Sequence, residues 1–127
     1  MHGQRLTHSQ IKSIRSAQLV SQRNLCALCC LPGVAGDPVL DHCHTTGAVR
    51  GTLHRSCNSL LGKVENNAAR FGVKSLPAFL NGAAKYLQRH TTNITGLIHP
   101  THKSEDEKRL ARNAKAVKVR LAKRKSA

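Results

Sequence analysis

The sequence predicts an α+β fold, a short β-hairpin with flanking helices and a basic C-terminal helix, on three observations. Two strand-like runs, residues 38–44 and 48–53, are joined by Thr45-Thr46-Gly47, which reads as a hairpin. Apolar residues recur at helical spacing before and after it. Two ligand-bearing pairs, Cys26-x-x-Cys29 and His54-x-x-Cys57, bracket the hairpin, with the spacing that lets side chains converge on one metal ion. Such a staple meets a need. Among 127 residues the aromatics are Phe71, Phe79 and Tyr86, with no Trp, whereas a core of this size normally draws much of its buried area from aromatics.

The elements follow in order. Residues 6–22 read as a helix, in which Thr7-His8-Ser9-Gln10 fits a capping box and Ile11, Ile14 and Ala17 or Gln18 follow at three-residue steps. Residues 25–33 read as a turn bearing thiols. After the hairpin the pattern turns helical at Arg55, with Ser56 as a cap and Leu60, Leu61, Val64 and Ala68 on one side. Gly62 weakens that helix without forbidding it. A further helix over 76–88 carries an apolar stripe of Leu76, Phe79, Leu80, Ala83, Ala84 and Leu87. Residues 91–102, with Gly96 and Pro100, read as a linker. The last helix, 104–125, has Ser104 to cap it, Glu105-Asp106-Glu107 at its positive end and Lys123-Arg124-Lys125 at its negative end. Leu110, Ala114, Val117 and Leu121 line one side of it, with basic residues over the rest.

Charge narrows the function classes. The chain has 21 Lys and Arg against 6 Asp and Glu, a net +15 and a pI near 10.6. That balance points to a polyanionic partner, nucleic acid before anionic lipid. Ten of the basic residues lie in 103–127, so both that tail and the remainder are basic. No stretch approaches the roughly 18 apolar residues of a membrane span, and the first 22 residues lack the apolar region of a secretory signal. The expected location is the cytosol, where five cysteines argue for metal or catalysis rather than disulfides.

The thiol pairs are the firmest motif. Cys26, Cys29, His54 and Cys57 are all ligand types suited to Zn²⁺, and the 24 residues between Cys29 and His54 are accounted for by the hairpin. With four protein ligands the zinc is structural. Small buried thiols or a redox pair are the alternatives, and the adjacent Cys30 is an alternative ligand to Cys29.

Between the pairs lies Asp41-His42-Cys43-His44, and Asn58 directly follows the last ligand. Phosphodiester hydrolysis needs a water deprotonated near neutral pH, which suits a histidine. It also needs charge neutralised on the phosphate and leaving oxygen, which suits a hard divalent cation on oxygen ligands. Asp41 and the Asn58 carbonyl are such ligands, with His42 beside the first. On a strand His42 and His44 face one way, Asp41 and Cys43 the other, unless the strand ends here and twists. Taken singly, these residues also fit ordinary roles: surface or zinc-binding histidines, a turn aspartate, a helix-start asparagine.

Cys26-x-x-Cys29, Asp41-His42-x-His44, Arg50-Gly51 and Cys57-Asn58 together resemble the recombination endonuclease VII family of phage nucleases, within the wider HNH, or ββα-metal, class. The resemblance runs from about residue 6 to 88, and departs from the family's frequent second CxxC at His54. It implies that residues 1–90 form a zinc-stapled HNH nuclease domain; the 91–102 linker and the basic helix or tail of 103–127 lie outside the shared motif. It implies that Asp41 and Asn58 hold a catalytic Mg²⁺ or Mn²⁺, that His42 is the general base, and that His44 positions the scissile phosphate. The implied substrate is DNA, either branched and resolved by a homodimer, or duplex nicked or cut by a free-standing phage enzyme in the bacterial cytoplasm. The short chain and basic appendage favour the second. Arg50, Arg55, Lys63, Arg112, Lys115 and Lys118 are the candidate phosphate contacts, since arginine's planar fork and lysine's point charge both suit phosphate. The C-terminal helix alternatively docks on a partner subunit or phage protein. A non-catalytic zinc-finger-like binding module is the rival reading; it leaves Asp41, His42 and Asn58 without a role.

Overall fold

The computed structural model describes residues 3–127, which form two compact units, the first running to Asn81 and the second Gly82–Ala127. The first unit opens with α1 (His8–Ser21), and its expected capping box forms, the Gln10 side chain accepting from the Thr7 amide at 2.8 Å. α1 lies across an antiparallel hairpin of β1 (Pro38–His42) and β2 (Val49–His54). The joint between them is polar and two-way. Gln22, just past α1, donates to the Thr52 carbonyl at 2.8 Å and accepts from the Thr52 amide at 2.9 Å. The hydroxyl of the fully buried Thr52 donates to the Arg15 carbonyl of α1 at 3.0 Å. Thr52, stripped of water on every side, thus has its amide, carbonyl and hydroxyl all partnered.

The hairpin is not regular. Pairing runs Pro38 with His54, Val39 with Leu53 and Leu40 with Thr52, then shifts so that His42 faces Val49. Arg50 and Gly51 therefore stand opposite the single residue Asp41, a bulge that re-aims the side chains around it. Gly51 is required there on contact grounds, because a Cβ on it would fall 2.9 Å from the Ala27 Cβ in the thiol-bearing turn. At the far end the turn closes through the Cys43 amide on the Ala48 carbonyl at 2.8 Å, with Gly47 at φ +74, the left-handed position glycine takes without strain.

β2 runs without a loop into α2 (Arg55–Asn67), and His54 is the N-cap. The expectation that Ser56 caps this helix is corrected: the strand continues up to the helix, and Ser56 already lies within it. α2 packs against both strands. Between α1 and the hairpin, a 3₁₀ turn (Val34–Gly36) adds Val34 to the interior, an element the sequence pattern does not signal. The buried apolar core is small: Leu19, Cys26, Val34 and Leu53, with Cys57 packed against it.

α3 (Leu76–Arg89) spans the division between the two units, and α4 (Glu105–Lys125) occupies the second. Ser104 caps α4 with the reciprocal Glu107 bond, and the acidic and basic ends fall where its dipole favours them. The apolar stripes of both helices are exposed: Phe79, Leu80 and Leu87 on α3, Leu110, Val117 and Leu121 on α4. No helix among the described residues is long and apolar enough to cross a membrane.

Gly51→Ala should destabilise the first unit by about 1–3 kcal/mol, the usual cost of overpacking. The added methyl meets a side chain that is all Cβ and cannot swing aside. Denaturant melts of Gly51→Ala and of Gly51→Ala combined with Ala27→Gly check this, the second change restoring much of the stability.

Candidate active site and metal centre

Four side chains meet at the junction of turn, strand and helix. Cys26 and Cys29 come from the turn after α1, His54 from the end of β2 and Cys57 from the first turn of α2. Their ligand atoms all lie within 4.8 Å of one another. His54 Nδ1 is 3.4 Å from the Cys29 sulfur and 3.8 Å from that of Cys57. His54 Nε2 lies 2.8 Å from the Pro32 carbonyl, so that edge of the ring carries the proton and donates. Nδ1 is left with its lone pair facing the thiols, and the Nε2 bond to a carbonyl is the outer hydrogen bond that zinc-binding histidines use. Three sulfurs and an imidazole nitrogen converging this closely fit a tetrahedral zinc site. Cys30 is exposed, at φ +62, and stands outside the group, as does Cys43. Cys29 rather than Cys30 completes the set.

The cluster's protonation is uneven. Burial pushes the Cys26 thiol up, but hydrogen bonds from the backbone of Cys29, His54 and Leu28 outweigh it and bring it down to about 6. Cys57 is pushed up to about 11, by burial first and then by the neighbouring sulfurs of Cys29 and Cys26. A metal-free cluster at neutral pH thus holds a thiolate at Cys26 and a thiol at Cys57.

The second constellation is built on the bulge. Asp41 is buried, 5% exposed, and both its oxygens accept from Arg50, Nε at 2.6 Å and Nη2 at 3.1 Å. The same guanidinium reaches Glu65 on α2, at 2.8 and 3.1 Å. Glu65 is held below the usual carboxylate range by those Arg50 hydrogen bonds. Its contribution is therefore present above the ordinary carboxylate range and is lost only as pH falls through that lowered value. His42 is exposed and opens onto a cleft of about 810 Å³ between Gln4 and Arg5, α1 and the hairpin turn. β1 ends at His42, so His44 lies in the turn beyond it, with its ring centroid 5.2 Å from that of His42. His44 also reaches α2, its Cε1 lying 4.0 Å from where a Cβ on Gly62 would stand. Asn58 lies on the first turn of α2, and no hydrogen bond among the described residues joins it to Asp41.

The basic candidates divide. Arg50 is engaged by Asp41 and Glu65. Arg55 is paired with Asp37 at 2.7 and 3.0 Å on the surface. Lys63 lies on α2, and Arg112, Lys115 and Lys118 are exposed on α4. Sequence reasoning missed Glu65 and the Pro32 carbonyl. Glu65 had a signal: before residue 103 the chain has only three acids, Asp37, Asp41 and Glu65, and a scarce carboxylate among many cations seldom goes unpaired. A backbone carbonyl leaves no such trace.

Fold and cluster define a small α+β protein with a four-donor cluster able to hold a metal ion, built at the end of a histidine-bearing hairpin. Residues 3–89 match the recombination endonuclease VII family, and the chain belongs to it. It is accordingly a nuclease, and its substrate is DNA. No match to the chain is found among curated proteins.

Zinc should be present at about one ion per chain, as a four-ligand site requires. Cys57→Ser should lose it and unfold the first unit, whereas Cys30→Ser and Cys43→Ser should retain it. Ligands must be deprotonated to bind. Cys57, near 11, must give up a proton at neutral pH, and Cys26 is protonated below about 6. Zinc affinity should therefore rise with pH and collapse below about 6, as competition with a chromophoric chelator would record.

Proposed function

We propose that the protein is a DNA endonuclease of the HNH, or ββα-metal, class, in which His42 activates water and Asp41 and Asn58 hold a divalent cation. The observation that carries this reading is the buried Asp41 at the bulge, with the His42–His44 pair on the neighbouring residues. The fit to a hard cation rests on the same place: a buried carboxylate that already takes a cationic partner, the guanidinium of Arg50. Asn58, beside the zinc ligand Cys57, adds a neutral carbonyl oxygen of the kind Mg²⁺ or Mn²⁺ accepts. When bound, that cation supplies charge neutralisation at the phosphate and at the departing 3′ oxygen.

The chain's own groups do the rest. An imidazole exchanges protons in the neutral range, and His42, facing an open cleft, takes the proton from the attacking water. His44 holds the phosphate from two residues further along the hairpin. The products are a 5′-phosphate and a 3′-hydroxyl. The zinc holds the turn, the end of β2 and the start of α2 together, so that Asn58 keeps its place relative to the hairpin. Arg55, Lys63 and the basic face of α4 with Arg112, Lys115 and Lys118 supply phosphate contacts along the duplex. The favoured substrate is duplex DNA, nicked or cut by a free-standing phage enzyme in its host's cytoplasm. Resolution of branched DNA by a homodimer, and docking of α4 on another phage protein, are the other outcomes open to test. Plasmid incubated with zinc-bound protein, with and without Mg²⁺, separates cutting from binding alone.

His42→Ala should keep fold, zinc and DNA binding and lose cleavage by roughly two to four orders of magnitude, the range of general acid–base catalysis. Raised pH should narrow that gap by supplying hydroxide. Asp41→Ala and Asn58→Ala should instead raise the cation concentration needed, with partial rescue by excess Mn²⁺. A folded His42→Ala protein cutting at the wild-type rate would remove this mechanism and direct the search for a base to His44.

Deleting residues 103–127 should weaken DNA binding and flatten its dependence on salt, because the shortened chain neutralises fewer phosphates and so frees fewer counterions. Zinc content should not change. Binding isotherms at several salt concentrations make the comparison, and an unchanged slope would assign α4 to protein contacts.

A further inference from the structure

Arg50 joins two carboxylates that the fold brings from different elements, Asp41 on β1 and Glu65 on α2. Its guanidinium donates twice to each carboxylate. The three side chains differ in depth: Asp41 is buried, Glu65 is 25% exposed and Arg50 35%. The guanidinium thus stands at the rim, with its deep partner behind it and its shallow partner beside it.

Resting on the reading of Asp41 as a ligand of the catalytic cation, we propose that Arg50 is a positioning residue that changes partners. It neutralises Asp41 in the resting protein, yields that carboxylate when a divalent cation binds, and stays tethered to Glu65 with its freed N–H groups turned to the DNA phosphate. Charge and geometry both support the exchange. Both Asp41 oxygens are taken by the fork, so a cation on Asp41 must share them at close range with a like charge or displace it. Without Arg50 the resting protein would hold an unpaired buried carboxylate, which is costly. Two carboxylates and one guanidinium leave one negative charge, and a divalent cation together with one phosphodiester brings the group to neutrality. Glu65 keeps the displaced arginine at the rim, where its planar fork matches phosphate oxygens. Cation binding and phosphate capture are then coupled through one side chain.

The test uses the full-length, zinc-bound chain and Mn²⁺ binding without DNA, read from the paramagnetic resonance of free Mn²⁺. Arg50→Gln should tighten Mn²⁺ binding by about tenfold, the low end of what removing an adjacent like charge does. Unchanged or weaker binding in a folded Arg50→Gln protein with its zinc in place overturns the proposal. Should that variant not fold, the wild-type chain decides. The Arg50 Nε–H resonance, protected by its 2.6 Å bond to Asp41, should lose protection on adding Mg²⁺. In a His42→Ala chain, where duplex survives, it should regain protection when duplex is added. Persistent protection at saturating Mg²⁺ overturns the exchange. Asp41→Asn separates the two levels of the reading. If it leaves Mn²⁺ binding intact, the role of Asp41 as ligand falls and the exchange falls with it; if it abolishes binding while Arg50→Gln has no effect, only the exchange falls.

Discussion

The first unit depends on a four-donor cluster, two of whose side chains, Cys26 and Cys57, double as interior. Cys26 is one of only four buried apolar residues among those described, and Cys57 packs against that group. A core so small supplies little of the apolar burial on which small domains marginally stand. Binding free energy at a structural zinc is folding free energy where no site preforms in the unfolded chain. Here the ligands come from the turn after α1, the last residue of β2 and the first turn of α2. One ion would therefore tie the hairpin to the helix that carries Asn58, and the scarcity of aromatics ceases to be a defect.

Electrostatics is organised with similar economy. The chain carries +15, yet every acid before residue 103 is paired with an arginine: Asp37 with Arg55, Asp41 and Glu65 with Arg50. The exposed pair adds little stability. The bulge cluster is different, because Asp41 is buried and its partner reaches the surface. Negative charge is thus confined to a few places on a strongly positive protein, and the deepest of them lies beside the histidine pair. A polyanion drawn to such a surface meets a buried carboxylate beside the histidine pair.

Much of this was legible from the chain, and the divisions are physical. Helix starts at Thr7 and Ser104 were readable because capping is local, a matter of side chains three residues apart. The hairpin and the ligand pairs were readable from spacing. The rings of His42 and His44 lie together, but the strand ends at His42, so it is the turn and not strand alternation that brings them there. The cap of α2 was misread because it is set by β2 running straight into the helix, not by residue preference. The bulge, and with it the meeting of Arg50, Asp41 and Glu65, depends on register across strands, which no local window contains. Periodicity identified α3 and α4 as amphipathic helices but says nothing of what covers their stripes, and those side chains are exposed.

His54 is at once the last residue of a strand, the N-cap of a helix and a member of the thiol cluster. Sheet and helix therefore meet with no connecting segment, at a side chain held by the Pro32 carbonyl on one ring nitrogen and facing the thiols with the other. A joint of this kind leaves no loop between β2 and α2 to act as a hinge. Accommodation then falls to the DNA, whose bending stiffness varies with sequence.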